Sequence, residues 1–244
     1  MSTVDRRERF YRDHGDTPRW KTFCVKKDAS DLYIRAHDDL TRSAAAALNT
    51  ARKELEDYIS EQSEFLHSLE PVAVPEDAPL IVRQMARAGA LAGTGPMAAV
   101  AGAVAETVGR VLLSESDEVL IENGGDTWLS ITEPVRLNVF PGNVYFEQGI
   151  AIQIVPGQTP CSVCTSSGKM GHSLSLGKAD GVTVIADTGA LADAAATAAA
   201  NLVQNTEDIP EALEHAAAIK GVTGVLIIHR DQIGALGNIE LCRI

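Results

Sequence analysis

Apolar residues recur at three- and four-residue intervals after Asp38 and predict a long helix. The stripe comprises Leu40, Ala44, Ala47, Leu48, Ala51, Leu55, Tyr58 and Ile59. This spacing places the side chains on one helix face, while charged residues fill the other. Upstream, residues 20–26 and 32–35 are short β-prone runs, and the polar residues between them predict a hairpin.

Four further helices are predicted from the spacing of apolar residues and from residues that start or stop a helix. Residues 79–91 are helical in pattern and end at a glycine-rich stop, after which Pro96 begins a second helix. The small, apolar residues 97–113 predict that this second helix is buried on most sides. Residues 190–203 form an alanine-rich helical segment, and residues 210–219 form a shorter one.

Strand patterns occupy most of the remaining chain. Alternation with turn residues over 128–154 predicts an antiparallel meander. The other predicted strands are 119–122, 172–176, 182–186, 222–228 and 239–244. Long helices between hairpin-linked strands favour an α+β fold, with helices packed on one face of a mainly antiparallel sheet. We expect one domain over residues 1–244. Its first part, residues 1–18, is a charged N-terminal arm.

Composition and charge narrow the function classes. With 244 residues, 45% hydrophobic and 22% charged, the chain has the composition of an ordered globular protein. Its longest apolar run, 97–105, is far below the roughly 20 residues that span a bilayer, so we expect no membrane embedding. A net charge of −12 argues against a nucleic-acid partner. Four scattered cysteines and the absence of a signal-like apolar stretch in residues 1–12 favour a cytoplasmic protein with reduced thiols.

Two consecutive glycines end a predicted strand in the run Glu122, Asn123, Gly124, Gly125 and Asp126. Glycines let a ligand approach the backbone closely, and the flanking polar side chains could hold it. The alternative is a tight turn between strands, which this run would also serve.

Three hydroxyl side chains precede a glycine and a cation in the run Thr165, Ser166, Ser167, Gly168 and Lys169. A loop of this kind can cradle a phosphate or pyrophosphate through hydroxyls and backbone N–H groups. A solvent-exposed loop rich in turn-forming residues is the alternative.

Asp193 and Thr197 lie four apart in the alanine-rich segment and share one helix face. Their oxygen donors suit Mg²⁺, although an acid in the first turn of a helix would also suit the helix dipole.

The predicted helix start at Gly95, Pro96 and Met97 could present unpaired N–H groups to an anion, or simply begin the helix.

Cys161 and Cys164 have the spacing of a redox pair or half a zinc site, but no second ligand pair accompanies them. His172 is a candidate acid or base near the hydroxyl run, and a structural histidine is the alternative. An enzyme that uses Cys164 or His172 for nucleophilic chemistry stays open.

Taken in order, three of these runs resemble motifs of the ApbE-like superfamily, the FAD:protein FMN transferases. Residues 122–126 resemble its Asn-x-Gly-Gly-Asp stretch, 166–168 its Thr-Ser-Gly, and 192–197 its Ala-Asp-Ala-x-x-Thr. Residues 8–12, 95–102 and 164–172 are similar to an ApbE-related branch to which no activity is assigned. Ala101 stands where the transferases carry a lysine, and the aromatic residue after Thr-Ser-Gly is absent.

The resemblance implies an ApbE-like (T-fold-like) architecture and a site for a nucleotide, FAD or FMN, with Mg²⁺. Asp193 and Thr197 would bind the metal with a main-chain carbonyl, and His172 and Asp193 are the candidate catalytic residues. The candidate flavin-binding residues are Gly95, Met97, Glu122, Asn123, Gly124, Gly125, Asp126, Thr165, Ser166, Ser167 and Gly168. We expect a protein that binds a flavin or another nucleotide with Mg²⁺, as a flavin transferase or a degenerate form of one, and that is open to homo-oligomer formation. The alternative is a non-catalytic binding or assembly module on the same fold.

Overall fold

The structure is a computed structural model, and it describes residues 19–146, 149–167 and 177–242. Within them the chain forms eleven strands and six α-helices. The strands are β1 Lys21–Lys27, β2 Ser30–Ala36, β3 Val119–Asn123, β4 Asp126–Ser130, β5 Val135–Val139, β6 Ile150–Ile154, β7 Cys161–Ser166, β8 Gly181–Ala186, β9 Val222–His229, β10 Gln232–Gly237 and β11 Leu241–Cys242. The helices are α1 Thr41–Glu61, α2 Glu64–His67, α3 Leu80–Ala92, α4 Val100–Leu112, α5 Gly189–Leu202 and α6 Ile209–Ala217.

Eight strands form one antiparallel sheet in the order β1-β2-β3-β4-β7-β8-β9-β10. The predicted hairpin is β1–β2, which turns at Asp28, a non-glycine residue with φ of 51°. Strands β3 and β8 are buried along their whole length, because the sheet is covered on both faces.

The helices pack on one face of this sheet, as the sequence predicts. Four residues of the predicted α1 stripe are fully buried, and the others lie partly buried against the same core. Helix α3 ends at Gly93, whose left-handed φ of 72° suits glycine. The predicted helix over 97–113 begins instead as a short 3₁₀ helix, Pro96–Ala99, and continues as α4. The α+β prediction, with helices on a mainly antiparallel sheet, is confirmed.

A second, three-stranded sheet in the order β11-β6-β5 covers the other face. It encloses a separate apolar layer with residues such as Leu129, Ile152, Ile185 and Ile228. The predicted meander over 128–154 is therefore divided: β4 stays in the large sheet, whereas β5 and β6 pair with each other in the small one. Alternation alone does not indicate which of two stacked sheets a strand joins.

Strand β10 is not predicted from the sequence, because its glycines and alanine give no alternating pattern. The predicted strand 172–176 lies outside the described residues, as do the arm 1–18 and the end of the predicted strand 239–244, of which β11 is the described part.

No single helix among the described residues combines the length and apolar character needed to cross a bilayer. Helix α3 and the helical residues Pro96–Leu112 are long and apolar enough for a membrane span only when they are taken together. The two are bent by 105° relative to each other.

Candidate functional site

The glycine pair forms the two-residue turn of the β3–β4 hairpin. Asn123 pairs with Asp126 across it, and Gly124 and Gly125 have φ angles of 70° and 108°. Both values favour glycine and fit the turns that join antiparallel strands most tightly. The Glu122 side chain accepts a hydrogen bond from the Gly125 N–H at 2.9 Å. A side chain at Gly124 would meet nothing within 4 Å, so the turn is open on that side.

Asn123 connects this turn to the start of α4. Its Nδ2 donates to the main-chain carbonyl of Ala101 at 3.0 Å. Its Oδ1 accepts from the main-chain N–H of Asp31 at 3.4 Å, which ties the turn to β2 as well. The amide therefore fixes the hairpin turn against the first turn of α4.

Asp193 lies on α5 and reaches the same first turn of α4. Its Oδ2 accepts a hydrogen bond from the Gly102 N–H at 3.0 Å. Asp193 is the fifth residue of α5, so the prediction that it lies in the first turn and serves its own helix dipole is wrong. It caps the neighbouring helix instead, since the first N–H groups of a helix have no partner within it.

Glu106 of α4 makes the reciprocal contact. Its Oε2 accepts from the Gly189 N–H, the first residue of α5, at 2.7 Å. Each acid lies four residues after a glycine, and each binds the N–H of the other helix's glycine. We call Gly102, Glu106, Gly189 and Asp193 the helix clasp.

The clasp depends on a very close approach of the two helices. A β-carbon on Gly102 would lie 2.1 Å from the Gly189 carbonyl oxygen, and one on Gly189 would lie 2.1 Å from the Gly102 carbonyl oxygen. Neither position can hold a larger residue unless the backbones separate. The close packing in turn fixes Asp193 relative to the hairpin turn.

Asp126 and Asp193 form a buried pair of carboxyl groups. Burial raises the pKa of Asp126 well above its usual value, and the charge of Asp193 raises it further. Burial raises the pKa of Asp193 to about 7, although hydrogen bonds from the N–H groups of Gly102 and Ala101 oppose the rise. Two like charges in an apolar setting repel each other, so a cation bound between them would be stabilised.

Two residues of the hydroxyl run lie in a strand and not in the predicted loop. Thr165 and Ser166 are the last residues of β7, not loop residues, because they continue its ladder with β8. The Thr165 hydroxyl is bonded to that of Thr183 at 2.8 Å. The Ser166 hydroxyl is buried and has no hydrogen-bond partner among the described residues. Gly168 and His172 lie outside the described residues.

Cys164 joins the end of β7 to the acid pair. It lies opposite Asp126 in the β4–β7 ladder, and Ser166, two residues later, projects from the same sheet face. Thr197 is buried one turn after Asp193 on α5. The hairpin turn, the end of β7 and the Asp193 turn of α5, which are far apart in sequence, therefore meet beside the start of α4.

The segment before α4, which holds the candidate residues Gly95 and Met97, makes packing contacts. A β-carbon on Gly95 would lie 1.9 Å from the Ser68 carbonyl oxygen, so this glycine serves a close backbone contact. Pro96 and Met97 begin a four-residue 3₁₀ helix, and Met97 packs against the main core. The neighbouring Thr94 hydroxyl is buried, and no residue in the described ranges hydrogen-bonds it.

The two clustered thiols do not form a pair. Cys161 and Cys164 are buried on opposite faces of β7, each in a different core. Burial raises the pKa of Cys161 to about 12 and that of Cys164 well above its usual value. Because the thiolate is the reactive form, neither residue is suited to nucleophilic chemistry.

The family model described as AbpE bacteria matches residues 13–235. A UPF0280 protein of Methanocaldococcus jannaschii is 42% identical over 193 residues, 77% of this chain and 78% of the relative. A UPF0280 protein of Methanobrevibacter smithii is 37% identical over 219 residues, 87% and 92% of the two chains.

Solved structures match the fold at low sequence identity. The flavin transferase ApbE from Vibrio cholerae gives a TM-score of 0.62 at 13% identity, covering 89% of this chain and 96% of the other. The flavinyl transferase ApbE from Pseudomonas stutzeri, in its apo form, gives 0.58 at 14% identity, with 89% and 94% covered.

Proposed function

This chain belongs to the family described as AbpE bacteria, within the ApbE-like superfamily, and from that premise and the geometry of the site we propose that it binds a flavin nucleotide, FAD or FMN, together with Mg²⁺. One observation carries the proposal. The buried pair Asp126 and Asp193 lies where the hairpin turn, the end of β7 and the start of α4 meet.

The acid pair fits a divalent cation. No group of three or more His, Cys, Asp or Glu side chains within the described residues is placed to enclose a metal ion. Mg²⁺ needs no such cage, since it often takes one or two carboxylates and completes its shell with water and phosphate oxygens. Asp193 and Thr197 would hold it, because a carboxylate that accepts two N–H bonds keeps further lone pairs free. The ion would supply positive charge to the nucleotide's phosphates.

The chain's own polar groups would hold the rest of the nucleotide. The buried Ser166 hydroxyl, which no other described residue bonds, is suited to donate to a phosphate oxygen. Gly124 leaves room for a ligand to reach the hairpin backbone. Ser167, directly after β7, and Gly168, which lies outside the described residues, are proposed to complete the phosphate contacts.

We extend the proposal to transfer of FMN from FAD. In that reaction the acceptor oxygen bonds to the FMN phosphorus, the pyrophosphate bond breaks, and AMP leaves. His172 and Asp193 are the proposed acid and base.

The Asp193→Asn variant is the direct test of binding. It keeps an oxygen that can accept from the Gly102 N–H but removes the charge. We expect the affinity for FAD in the presence of Mg²⁺, measured by flavin fluorescence titration, to fall at least about tenfold, a loss of roughly 1.4 kcal/mol. With the metal chelated by EDTA, the variant and the wild type should bind alike.

Glu106→Gln is the matched control. It makes the same change of charge in the other half of the helix clasp, at an acid outside the proposed nucleotide contacts. Its dependence on Mg²⁺ should equal that of the wild type. Wild-type protein that gives no flavin signal with Mg²⁺, or an Asp193→Asn variant that binds as tightly as the wild type, would refute the proposal.

Ala101 supports a second candidate, a site that binds the nucleotide without catalysis. It stands where the transferases it resembles carry a lysine, and its carbonyl is held by Asn123. A cation missing from a phosphate site weakens stabilisation of the charge that develops during transfer. Release of AMP from bound FAD, followed by chromatography, distinguishes the two: sustained release supports the transferase, and tight binding without release supports the binder.

A further inference from the structure

The two outer strands of the large sheet differ in how they present their free edges. Among the described strands, β1 has only β2 beside it and β10 has only β9. β1 carries three lysines, Lys21, Lys26 and Lys27. Lysines on an edge strand discourage pairing with another chain. β10, with the sequence QIGALG, carries no charge at all.

The backbone of β10 offers hydrogen bonds outward. The β9–β10 hairpin turns through two residues, Arg230 and Asp231, and Gln232 pairs with His229. In such a hairpin the ladder bonds alternate, so the N–H and C=O groups of Ile233 and Ala235 point away from β9. These are the groups that a further strand would use.

Apolar side chains flank this free edge. Ile233 and Leu236 are each 42% exposed, and Leu241 of the neighbouring edge strand β11 is equally exposed. Gly234 faces helix α6, where a β-carbon would meet Ile209 and Leu213, so α6 supports the strand from one side. The edge is therefore both held in place and partly apolar.

We propose that β10 is a self-association edge, at which two copies of this chain pair antiparallel about a two-fold axis at Ala235. A two-fold interface requires a strand that complements itself, and an uncharged antiparallel edge does so. In this register Leu236 of each copy lies opposite the partner's Gly234, and Ile233 lies opposite the partner's Gly237. Each large apolar side chain therefore meets a glycine, so the two edges complement each other.

The second copy fits better than other occupants because of the charge pattern. Each chain carries a net charge of −12, so two copies repel each other over most of their surfaces. The uncharged β10 edge avoids that repulsion. Joining the edges produces one continuous sheet across the two chains.

Multi-angle light scattering after size exclusion tests the proposal on the full chain. Wild-type protein at about 50 μM, a concentration well above a micromolar dissociation constant, should show twice the 25.9 kDa mass of one chain. Ile233→Lys should halve the observed mass by adding charge to the edge. Ala235→Pro should do the same by removing an outward N–H, while the ladder to β9 keeps its own bonds.

Val111→Lys is the control, since it also replaces an exposed apolar side chain, 45% exposed, but lies on α4, which packs against β3 and β4 rather than β10. It should leave the dimer mass unchanged. Circular dichroism of each variant should match that of the wild type. A monomeric wild type, or a dimer that survives both β10 substitutions, would overturn the proposal.

Discussion

Replacing Gly102 by alanine is expected to lower the free energy of unfolding by about 3 kcal/mol, near the upper end for an overpacked core. The added methyl group would lie 2.1 Å from the Gly189 carbonyl oxygen, which belongs to a backbone and cannot rotate away. Helices α4 and α5 must separate, and the hydrogen bonds of the helix clasp then lengthen. Urea denaturation followed by circular dichroism measures the change.

Gly157→Ala provides the matched control. A β-carbon there would meet nothing within 4 Å, so its effect should stay within about 0.5 kcal/mol, as for ordinary surface substitutions. Gly189→Ala should reproduce the loss seen for Gly102→Ala, because the contact is reciprocal. An unchanged urea midpoint for both clasp variants would show that the two helices are not held at this distance.

Gly102→Ala should also weaken nucleotide binding if the proposed site is correct. Asp193 is fixed relative to the hairpin turn through Gly102, Ala101 and Asn123. A shift of α4 against α5 moves the two carboxyl groups of the acid pair apart. Stability and binding are therefore expected to fall together in Gly102→Ala, but not in Gly157→Ala.

The parts of the fold that the sequence predicts are those set by local pattern. The α1 stripe, the β1–β2 hairpin and the alanine-rich α5 each follow from spacing or turn residues within about twenty positions. The glycines at 124–125 predict either a ligand contact or a tight turn between strands. The tight turn is confirmed. These elements need no information from distant parts of the chain.

The parts that the sequence did not predict depend on distant partners. Glu106 and Asp193 each follow a glycine by four residues, and that repetition is visible in the sequence. Nothing local shows that each acid caps the other helix, because the hydrogen bonds span 83 and 91 positions. For the same reason, Ser166 was expected in a loop, although pairing with β8 makes it the end of a strand.

His229 is a buried polar residue that no sequence pattern selects. It ends an apolar strand, and both ring nitrogens are buried with no hydrogen-bond partner in the part of the chain that the structure describes. The Asp180 carboxylate lies 4.0 Å from the Nδ1 atom of His229. Buried orphan groups of this kind are set by tertiary packing, and a sequence pattern cannot distinguish them from ordinary strand residues.

Glu118→Gln is expected to lower the free energy of unfolding at pH 7 by about 3 kcal/mol, as for the loss of one partner of a buried ion pair. The Glu118 side chain is fully buried. It accepts hydrogen bonds from the Arg19 guanidinium, from the Trp20 ring nitrogen at 2.9 Å and from the Thr132 hydroxyl at 2.6 Å. Glutamine would turn an N–H₂ group towards these donors. Urea denaturation at several pH values measures the loss.

The effect should depend on pH in a defined direction. Burial alone would raise the pKa of Glu118, but the hydrogen bonds from Arg19, Thr132 and Trp20 outweigh it and hold the pKa well below its usual value of 4.5. A carboxyl group with a lowered folded-state pKa stabilises the fold above its unfolded pKa, and that contribution is lost as the pH falls. The difference between wild type and Glu118→Gln should therefore be full at pH 7 and shrink below pH 4.5.

Glu133→Gln separates this buried network from simple proximity to Arg19. Glu133 also accepts a hydrogen bond from Arg19, at 3.2 Å, but its side chain is 72% exposed. Solvent screens such a pair, so its removal should cost less than about 1 kcal/mol. A Glu118→Gln loss that stays constant between pH 7 and pH 3, or that equals the Glu133→Gln loss, would show that the ionised carboxylate is not what holds Arg19 and Trp20 to the start of β3.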